Sequence, residues 1–249
     1  MALPLQAGNA CEVKSGAATA ALVELYTSEG CSSCPPADLE LRQLGQKLDA
    51  NAVVVPLALH VSYWDNIGWK DIFAQKIFDA RQTSLLSSRK NQVVYTPQFF
   101  VNGEELRGWR NDFAARVRDI NARVAPLTIT LRSTPASAPI AGDSVALEAN
   151  VVAVDPHVGG ALYLAVSENA LVSQVTRGEN SGATLRHDNT ARMWFGPIPL
   201  KEGRAHLRQD IKLPNDWRRQ NLQAVAFVQD QGSVLQAVST AQCKPARGL

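Results

Sequence analysis

The hydrophobic periodicity of this chain changes once, near residue 124, and that change limits the possible folds more than any single motif. Up to that point β-prone runs alternate with helical ones. "ALVELYTS" (21–28) is β-rich and ends in small and polar residues. A helix follows from about Cys34, because Ala37, Leu41, Leu44 and Leu48 recur at helical spacing. "AVVVPLALHV" (52–61) is almost continuously apolar, as a strand buried on both faces must be. A second helix is expected over 70–88, with Phe73, Ile77 and Ala80 inward. "QFFVNGEELRGW" (98–109) reads as a hairpin turning at Asn102–Gly103. Asp112 then caps a last helix that turns Phe113, Val117, Ile120 and Val124 to one face. The order β-α-β-α-β-β-α is α/β material, a sheet covered by helices.

Beyond "VAPLTITLRSTPASAPIAGDS" (124–144) helical spacing disappears. Val145, Leu147, Ala149 and Val151 alternate as in a half-buried strand, and so do Ala205, Leu207, Ile211 and Leu213. Further strands are expected at 160–167, 191–196, 222–229 and 233–240. Roughly seven short strands at this spacing suggest an antiparallel sandwich of immunoglobulin-like type. The expectation is therefore an α/β domain over 20–124 and an all-β domain over 125–243, with tails at 1–19 and 244–249.

Charge excludes one class of partner. Residues 1–124 carry 13 basic and 13 acidic side chains, and residues 125–249 carry 12 and 10. Neither half has the basic excess that binding a phosphate backbone requires, so nucleic acid is not an expected partner. No run approaches the roughly 18–20 apolar residues of a membrane span. The start, "MALPLQAGNAC", lacks the cationic and fully apolar regions of a secretory signal, yet "LQAGNA" reads like the small-residue end of one. The alternative is a frayed cytosolic N-terminus. The four cysteines are Cys11, Cys31, Cys34 and Cys243. If Cys31 and Cys34 form a local pair, Cys11 and Cys243 remain, one near each end, where a bridge would tie down two otherwise unpatterned segments. On the chain-entropy model so long a loop is worth up to about 5 kcal/mol. An even cysteine count and such a staple point to the periplasm or to secretion; two unrelated buried thiols are the alternative.

"GCSSCPPAD" (30–38) admits three readings: part of a zinc site, a structural disulfide, or a reactive dithiol. Zinc needs a second pair or closely spaced histidines, and the histidines at 60, 157, 187 and 206 are scattered. A bridge across so small a loop removes little entropy. The redox reading makes further demands that the sequence meets. Cys31 falls at the amino end of the helix carrying Cys34, where unpaired N–H groups and the helix dipole stabilise a thiolate. Pro35 and Pro36 suit a first helical turn. The preceding strand delivers Cys31 to the sheet end where α/β folds place their ligands.

Strand, then "CSSC", then helix, together with "VYTPQFFVNG" (94–103), resembles the thioredoxin superfamily. The resemblance implies that Pro97 is cis and faces the dithiol, and that the backbone of Thr96 pairs with an extended substrate. It also implies a buried acid on the first strand, and Glu24 is the candidate for moving the proton of Cys34. It stands seven residues before Cys31 instead of six, and one residue reverses the face of a strand unless an extra loop residue restores it; the alternative is an ordinary exposed strand-edge acid. A wider likeness takes in "VELYTSEGCSSCPPAD", "LHVSYWDNIGWKD", "ARQ", "VYTPQ" and "RGENSGATLRHDN". These are similar to a family of bacterial secreted thioredoxin-like proteins defined largely as a domain of unknown function. The fold implied is a thioredoxin-like α/β domain followed by the immunoglobulin-like sandwich; no cofactor is implied.

Ser32 and Ser33 between the cysteines, and Glu29 just before them, suggest a thiolate of only moderate stability. Tyr63, Trp64 and Asp65 follow the second strand at the dithiol end of the sheet, where they could grip a substrate and handle a proton, or simply cover a helix. His60, on an apolar strand, reads as a hydrogen-bonded core residue. "TRGENSGATLRHDNTAR" (176–192) is more polar than a sandwich turn needs. It is either a solvated hairpin or a loop reaching the dithiol, with Arg186 and His187 selecting an anionic partner. The leading expectation is a thiol–disulfide oxidoreductase acting on protein or small thiols and disulfides, or with a redox partner protein. Its alternatives are a binding module with an inert bridge and a Cu(I)-handling dithiol.

Overall fold

The structure, a computed structural model, describes residues 10–87, 93–135 and 144–243. The leader-like start before residue 10, the expected helix end at 88 and the tail at 244–249 lie outside the described residues. The first half contains β1 (Cys11–Lys14), β2 (Ala21–Thr27), α1 (Pro35–Lys47), β3 (Val54–His60), α2 (Lys76–Ser87), β4 (Gln98–Val101), β5 (Glu104–Glu105) and α3 (Trp109–Asn121). The second contains β6 (Leu127–Pro135), β7 (Ser144–Ala153), β8 (Ala161–Glu168), β9 (Leu171–Gln174), β10 (Thr184–His187), β11 (Thr190–Pro199), β12 (Arg204–Lys212), β13 (Leu222–Asp230) and β14 (Ser233–Ser239).

These elements do not build a thioredoxin-like α/β domain beside a separate immunoglobulin-like sandwich; sheet topology corrects that expectation. With 14 strands against 3 α-helices, the described residues are mainly β. One eight-stranded sheet runs β14-β13-β8-β11-β3-β2-β4-β5 and so takes four strands from each half of the chain. Its seam is a parallel contact between β11 and β3, with Thr190 opposite Ala58. There the Ala58 N–H donates to the Asn189 carbonyl over 2.8 Å. The physical reason lies in β3. An apolar central strand must satisfy hydrogen-bonding groups along both edges. β2 satisfies one edge, running parallel with Ala21–Thr27 opposite Val54–His60, and β11 begins the other. Periodicity reveals which residues face inward but not which strand supplies an edge.

Burial follows the same plan. Along β2, Ala21, Val23 and Leu25 face Ala37, Leu41 and Leu44 of α1 and Phe113, Val117 and Ile120 of α3. Leu22 and Tyr26 point the other way, towards Phe78, Leu85 and Leu86 of α2, in a layer that crosses the seam to Ala165, Val225 and Phe227. A four-stranded sheet, β1-β6-β7-β12, covers the second-half strands. Its Ile129, Leu131, Leu147 and Ala149 share a core with Leu162, Leu164, Ala224 and Ala226. At about 1.5–3 kcal/mol per fully buried large apolar side chain, neither half could expose its share of these layers without a large loss.

Several local expectations shift. α2 starts at Lys76, later than 70, so Ile77 and Ala80 are exposed while Phe78, Gln82, Leu85 and Leu86 turn inward. Phe73 is buried but precedes the helix. α3 takes Gly108 as its N-cap, which puts Asp112 in the first turn, and Val124 lies beyond the helix end, 84% exposed. β1 and β6 pair antiparallel, two strands beyond those expected from the sequence. The turn between β4 and β5 has positive φ at both Asn102 (49°) and Gly103 (83°). A Cβ on Gly103 would stand 1.7 Å from the Gly232 carbonyl oxygen, so this turn packs directly on the turn between β13 and β14.

Candidate functional site

β2 ends at Thr27, and the chain turns through Ser28–Ser33 into α1, with Cys34 as the helix N-cap and Pro35 and Pro36 opening the helix. Proline fits there because the first helical N–H groups have no intrahelical acceptor. Cys31 and Cys34 are joined as a disulfide with a Cα–Cα distance of 5.4 Å. Backbone bonds of 3.2 Å from Cys31 N–H to Ser28 and from Cys34 N–H to Cys31 hold the loop in a double turn. Neither cysteine has any exposed surface. In β4, Gln98 stands opposite Tyr26, so the register brings Pro97 level with Thr27, at the sheet end where the dithiol loop begins. The Thr96–Pro97 peptide is cis, and the Thr96 hydroxyl is buried without a hydrogen-bond partner among the described residues.

Glu24 is not at this site. It shares the α2-facing side of β2 with Leu22 and Tyr26, whereas α1 packs on the opposite side. Its carboxylate takes a bidentate pair of bonds from Arg81 Nε (2.5 Å) and Nη2 (2.9 Å). The arginine in turn lies over the rings of Tyr163, Trp194 and Phe227. Burial disfavours the Arg81 charge, but the Glu24 carboxylate more than restores it and raises the guanidinium pKa. The extra residue before Cys31 is not absorbed by the loop, so the reversal of face stands.

A different carboxylate lies towards the dithiol. Asp38 is four residues after Cys34 and therefore on the same face of α1; its N–H donates to the Cys34 carbonyl over 3.1 Å. Desolvation pushes its carboxyl above the ordinary range, against the charges of His60 and His187. His60 is fully buried, and its Nδ1 lies 2.6 Å from Asp71 Oδ2. Burial alone would lower the His60 pKa, but the Asp71 carboxylate outweighs it and the net shift is upward. Asp71 is correspondingly lowered: burial opposes its charge and His60 overcomes that. The His60 and His187 rings meet edge to face at 5.0 Å. His60 Nε2, His187 Nδ1 and Thr190 Oγ1 are buried without a hydrogen-bond partner among the described residues. The result is a buried polar cluster at the amino end of α1.

The polar stretch 176–192 does reach the dithiol. It forms β10, the start of β11, and the turn that joins β9 to β10. His187 is buried, and its Nε2 lies 2.9 Å from Glu29 Oε1, while the Trp69 indole donates to Glu29 Oε2 over 2.8 Å. The Glu29 charge is thus bound by the hairpin and by Trp69. Asn180 Nδ2 donates to the carbonyls of Glu29 (2.8 Å) and Cys31 (3.0 Å), and the Ser32 N–H donates to Glu179 Oε2 (3.0 Å). Arg186 has an exposed side chain; its carbonyl accepts from Arg42 of α1, which also pairs with Asp188 at 2.8 Å. His187 therefore grips the dithiol loop from within, and Arg186 contributes its backbone.

The loop after β3 divides its tasks. Trp64 packs over Gly30: a Cβ built there would lie 3.4 Å from the tryptophan Cβ. Asp65 accepts the Asp71 N–H over 3.1 Å and so orients the partner of His60; desolvation raises its pKa. Tyr63 is partly exposed and donates to Gln82 over 3.2 Å, with burial as the main cause of a hydroxyl pKa pushed up to about 12. Far from this site, Cys11 and Cys243 form a second disulfide with a Cα–Cα distance of 6.0 Å. Among the described residues there is no group of three or more His, Cys, Asp or Glu that could hold a metal ion, and no helix is long and apolar enough to cross a membrane.

Sequence reasoning missed Asp38, Asp71, Glu179 and Asn180. The spacing of Cys34 and Asp38, one helical turn, was a usable signal for the first. The other three depend on loops whose course no periodicity encodes.

Two solved structures resemble the chain. Protein AGR_C_4864 from Agrobacterium tumefaciens is 24% identical with a TM-score of 0.58, over 89% of this chain and 94% of that one. HBP35 of Porphyromonas gingivalis is 17% identical with a TM-score of 0.67, over 94% of this chain and 79% of that one. At these identities the likeness concerns the fold alone. No curated protein matches the sequence. Residues 22–229 match the family model described as "Protein of unknown function (DUF1223)", and the chain belongs to that family.

Proposed function

We propose that this chain is a thiol–disulfide oxidoreductase of an oxidising compartment, the periplasm or the cell exterior. Cys31 and Cys34 are its redox pair, and protein thiols or disulfides, or a redox partner protein, are its substrates. One observation carries the reading: the Cys31–Cys34 bridge sits one helical turn from Asp38, whose carboxyl burial holds above its usual range beside His60 and His187. Perturbed titratable groups gather where protons must move, and a bridge serving stability alone needs none.

In the oxidised form a substrate thiolate attacks Cys31 Sγ. The Cys31–Cys34 bond breaks, and Cys34 leaves as a thiolate that takes up a proton. A second substrate thiolate attacks the substrate sulfur of the mixed disulfide, and Cys31 departs and is protonated in turn. Two substrate thiols become one disulfide while the protein's disulfide becomes a dithiol; the reverse sequence reduces a substrate disulfide. Asp38 gives or takes the proton of Cys34, because a raised carboxyl lies nearer the range in which proton transfer at neutral pH is efficient. Glu24, held by Arg81, has no part in it.

The complete burial of both cysteines favours one other reading, a binding module whose bridge stays oxidised. Insulin reduction and oxidation of a dithiol peptide, measured with wild type and with Cys31→Ser, separate the two. The oxidoreductase turns over in at least one assay and loses that turnover in the variant. Equal turnover in both proteins removes Cys31 from the chemistry, and none in either favours the binding module.

A further inference from the structure

The amino end of α1 should be open to solvent, yet the disulfide there has no exposed surface. The turn between β9 and β10 is bonded to the loop that carries Cys31. We propose that residues 176–183 are a lid that occupies the docking position of the substrate and must swing aside before a thiol reaches Cys31. This rests on the reading of Cys31–Cys34 as a redox pair.

The lid holds the dithiol loop by backbone groups. Asn180 donates to the carbonyls of Glu29 and Cys31, and Glu179 accepts the N–H of Ser32. Carbonyls and N–H groups of this kind are what an extended polypeptide pairs with when it docks by its main chain. The side-chain amide of Asn180 and the carboxylate of Glu179 therefore take the place of a substrate's own N–H and C=O. A substrate cannot use those groups while the lid does.

Its construction suits movement as a unit. Gly178 (φ 74°) and Gly182 (φ 86°) flank the two contact residues. A Cβ on Gly178 would stand 3.2 Å from the Trp69 Cβ and 3.3 Å from the Ile67 carbonyl oxygen, whereas one on Gly182 would meet none of the described residues within 4 Å. The turn is closed on itself by bonds from Gly182 N–H to Val175 (2.8 Å) and from Ser181 N–H to Gly178 (3.2 Å). Below it, the hairpin is fixed by His187 on Glu29 and by Arg42 on Asp188. Residues 176–179, 181 and 182 are exposed, and exposed segments of this kind open at low cost.

The test uses the full chain and tris(2-carboxyethyl)phosphine, a reductant that needs no protein docking surface. The rate at which Cys31 becomes available for alkylation is followed by mass spectrometry, which separates it from Cys11–Cys243. Asn180→Ala deletes two hydrogen bonds of ordinary strength, so reduction should accelerate at least about fivefold. Glu179→Gln, at an exposed side chain that the fold tolerates, should accelerate it by less and serves if the first variant does not fold. Unchanged rates in a folded Asn180→Ala variant, or in Glu179→Gln where only that variant folds, overturn the lid. Faster phosphine reduction supports the lid even where neither protein turns over insulin or a dithiol peptide; that second result counts only against the oxidoreductase reading.

Discussion

Two carboxylates on opposite faces of the same sheet, Glu24 fully buried and Asp38 partly so, are treated in opposite ways. Glu24, facing α2, has both oxygens bound by Arg81, and the arginine is closed in by three aromatic rings. Asp38, facing the sheet from α1, has no such cation locked to it among the described residues, and burial holds its carboxyl above the ordinary range. Among the described residues, His60 Nε2 and His187 Nδ1 have no hydrogen-bond partner. A complete ion pair fixes packing and has nothing left to exchange. A carboxyl whose pKa burial raises, beside two imidazoles, is better placed to exchange a proton. On the proposed function, the contrast assigns structure to the α2 side and proton transfer to the α1 side.

The largest effect that would break the contrast is on stability. Arg81→Met strands the Glu24 charge in the core and should cost about 3–5 kcal/mol, by analogy with buried pairs that lose one partner. Urea unfolding measures it, and thiol exchange by the folded fraction should be unaltered; a loss of exchange would move Glu24 back into the mechanism. Asp38→Asn is the mirror case. It should slow turnover by about a hundredfold at neutral pH, within the ordinary span of general acid–base catalysis, while leaving the unfolding midpoint close to wild type. Rates that fall equally at every pH would make Asp38 a packing residue, whereas a slowing that fades at high pH, where thiols ionise unaided, sharpens its role.

The smallest predicted effect concerns His60. Its folded pKa is raised, and Asp71 is its partner. The stabilisation from that pair is therefore fully present below about pH 6.5, the unfolded value, and is lost as pH rises through the higher folded value. Asp38, also raised, changes stability in the same direction, while the lowered Asp71 acts only as pH falls below its ordinary range. Thermal unfolding from pH 6 to 9 should show a modest decline that His60→Asn flattens. A rise over that interval would mean that the histidine is held neutral.

Much of this arrangement was legible in the chain. The apolar run at 52–61, the hairpin at Asn102–Gly103 and the local pair Cys31/Cys34 all have strong local signals, and Cys11 and Cys243 are then the pair left over. The shared eight-stranded sheet was not legible, because alternation assigns a residue to a face and says nothing about which strand lies alongside. Glu24 shows how close the reading came: its odd spacing from Cys31 already placed it on the wrong face. The register of α2 is not legible, because Phe73, Ile77 and Phe78 are compatible with two helical registers, and tertiary packing, in which Phe78 meets Trp194, chooses Phe78. Glu179 and Asn180 lie about 150 residues from the loop they cover. No short-range pattern encodes that contact.

If Cys31–Cys34 is poised for exchange while Cys11–Cys243 is a staple, their reduction potentials must differ. Redox titration against glutathione and dithiothreitol buffers, with each pair read by alkylation and mass spectrometry, gives both in one protein. Cys31–Cys34 is expected above about −300 mV and Cys11–Cys243 below it, the range of inert structural bridges. A Cys31–Cys34 potential below that value, as low as the staple, would contradict this expectation.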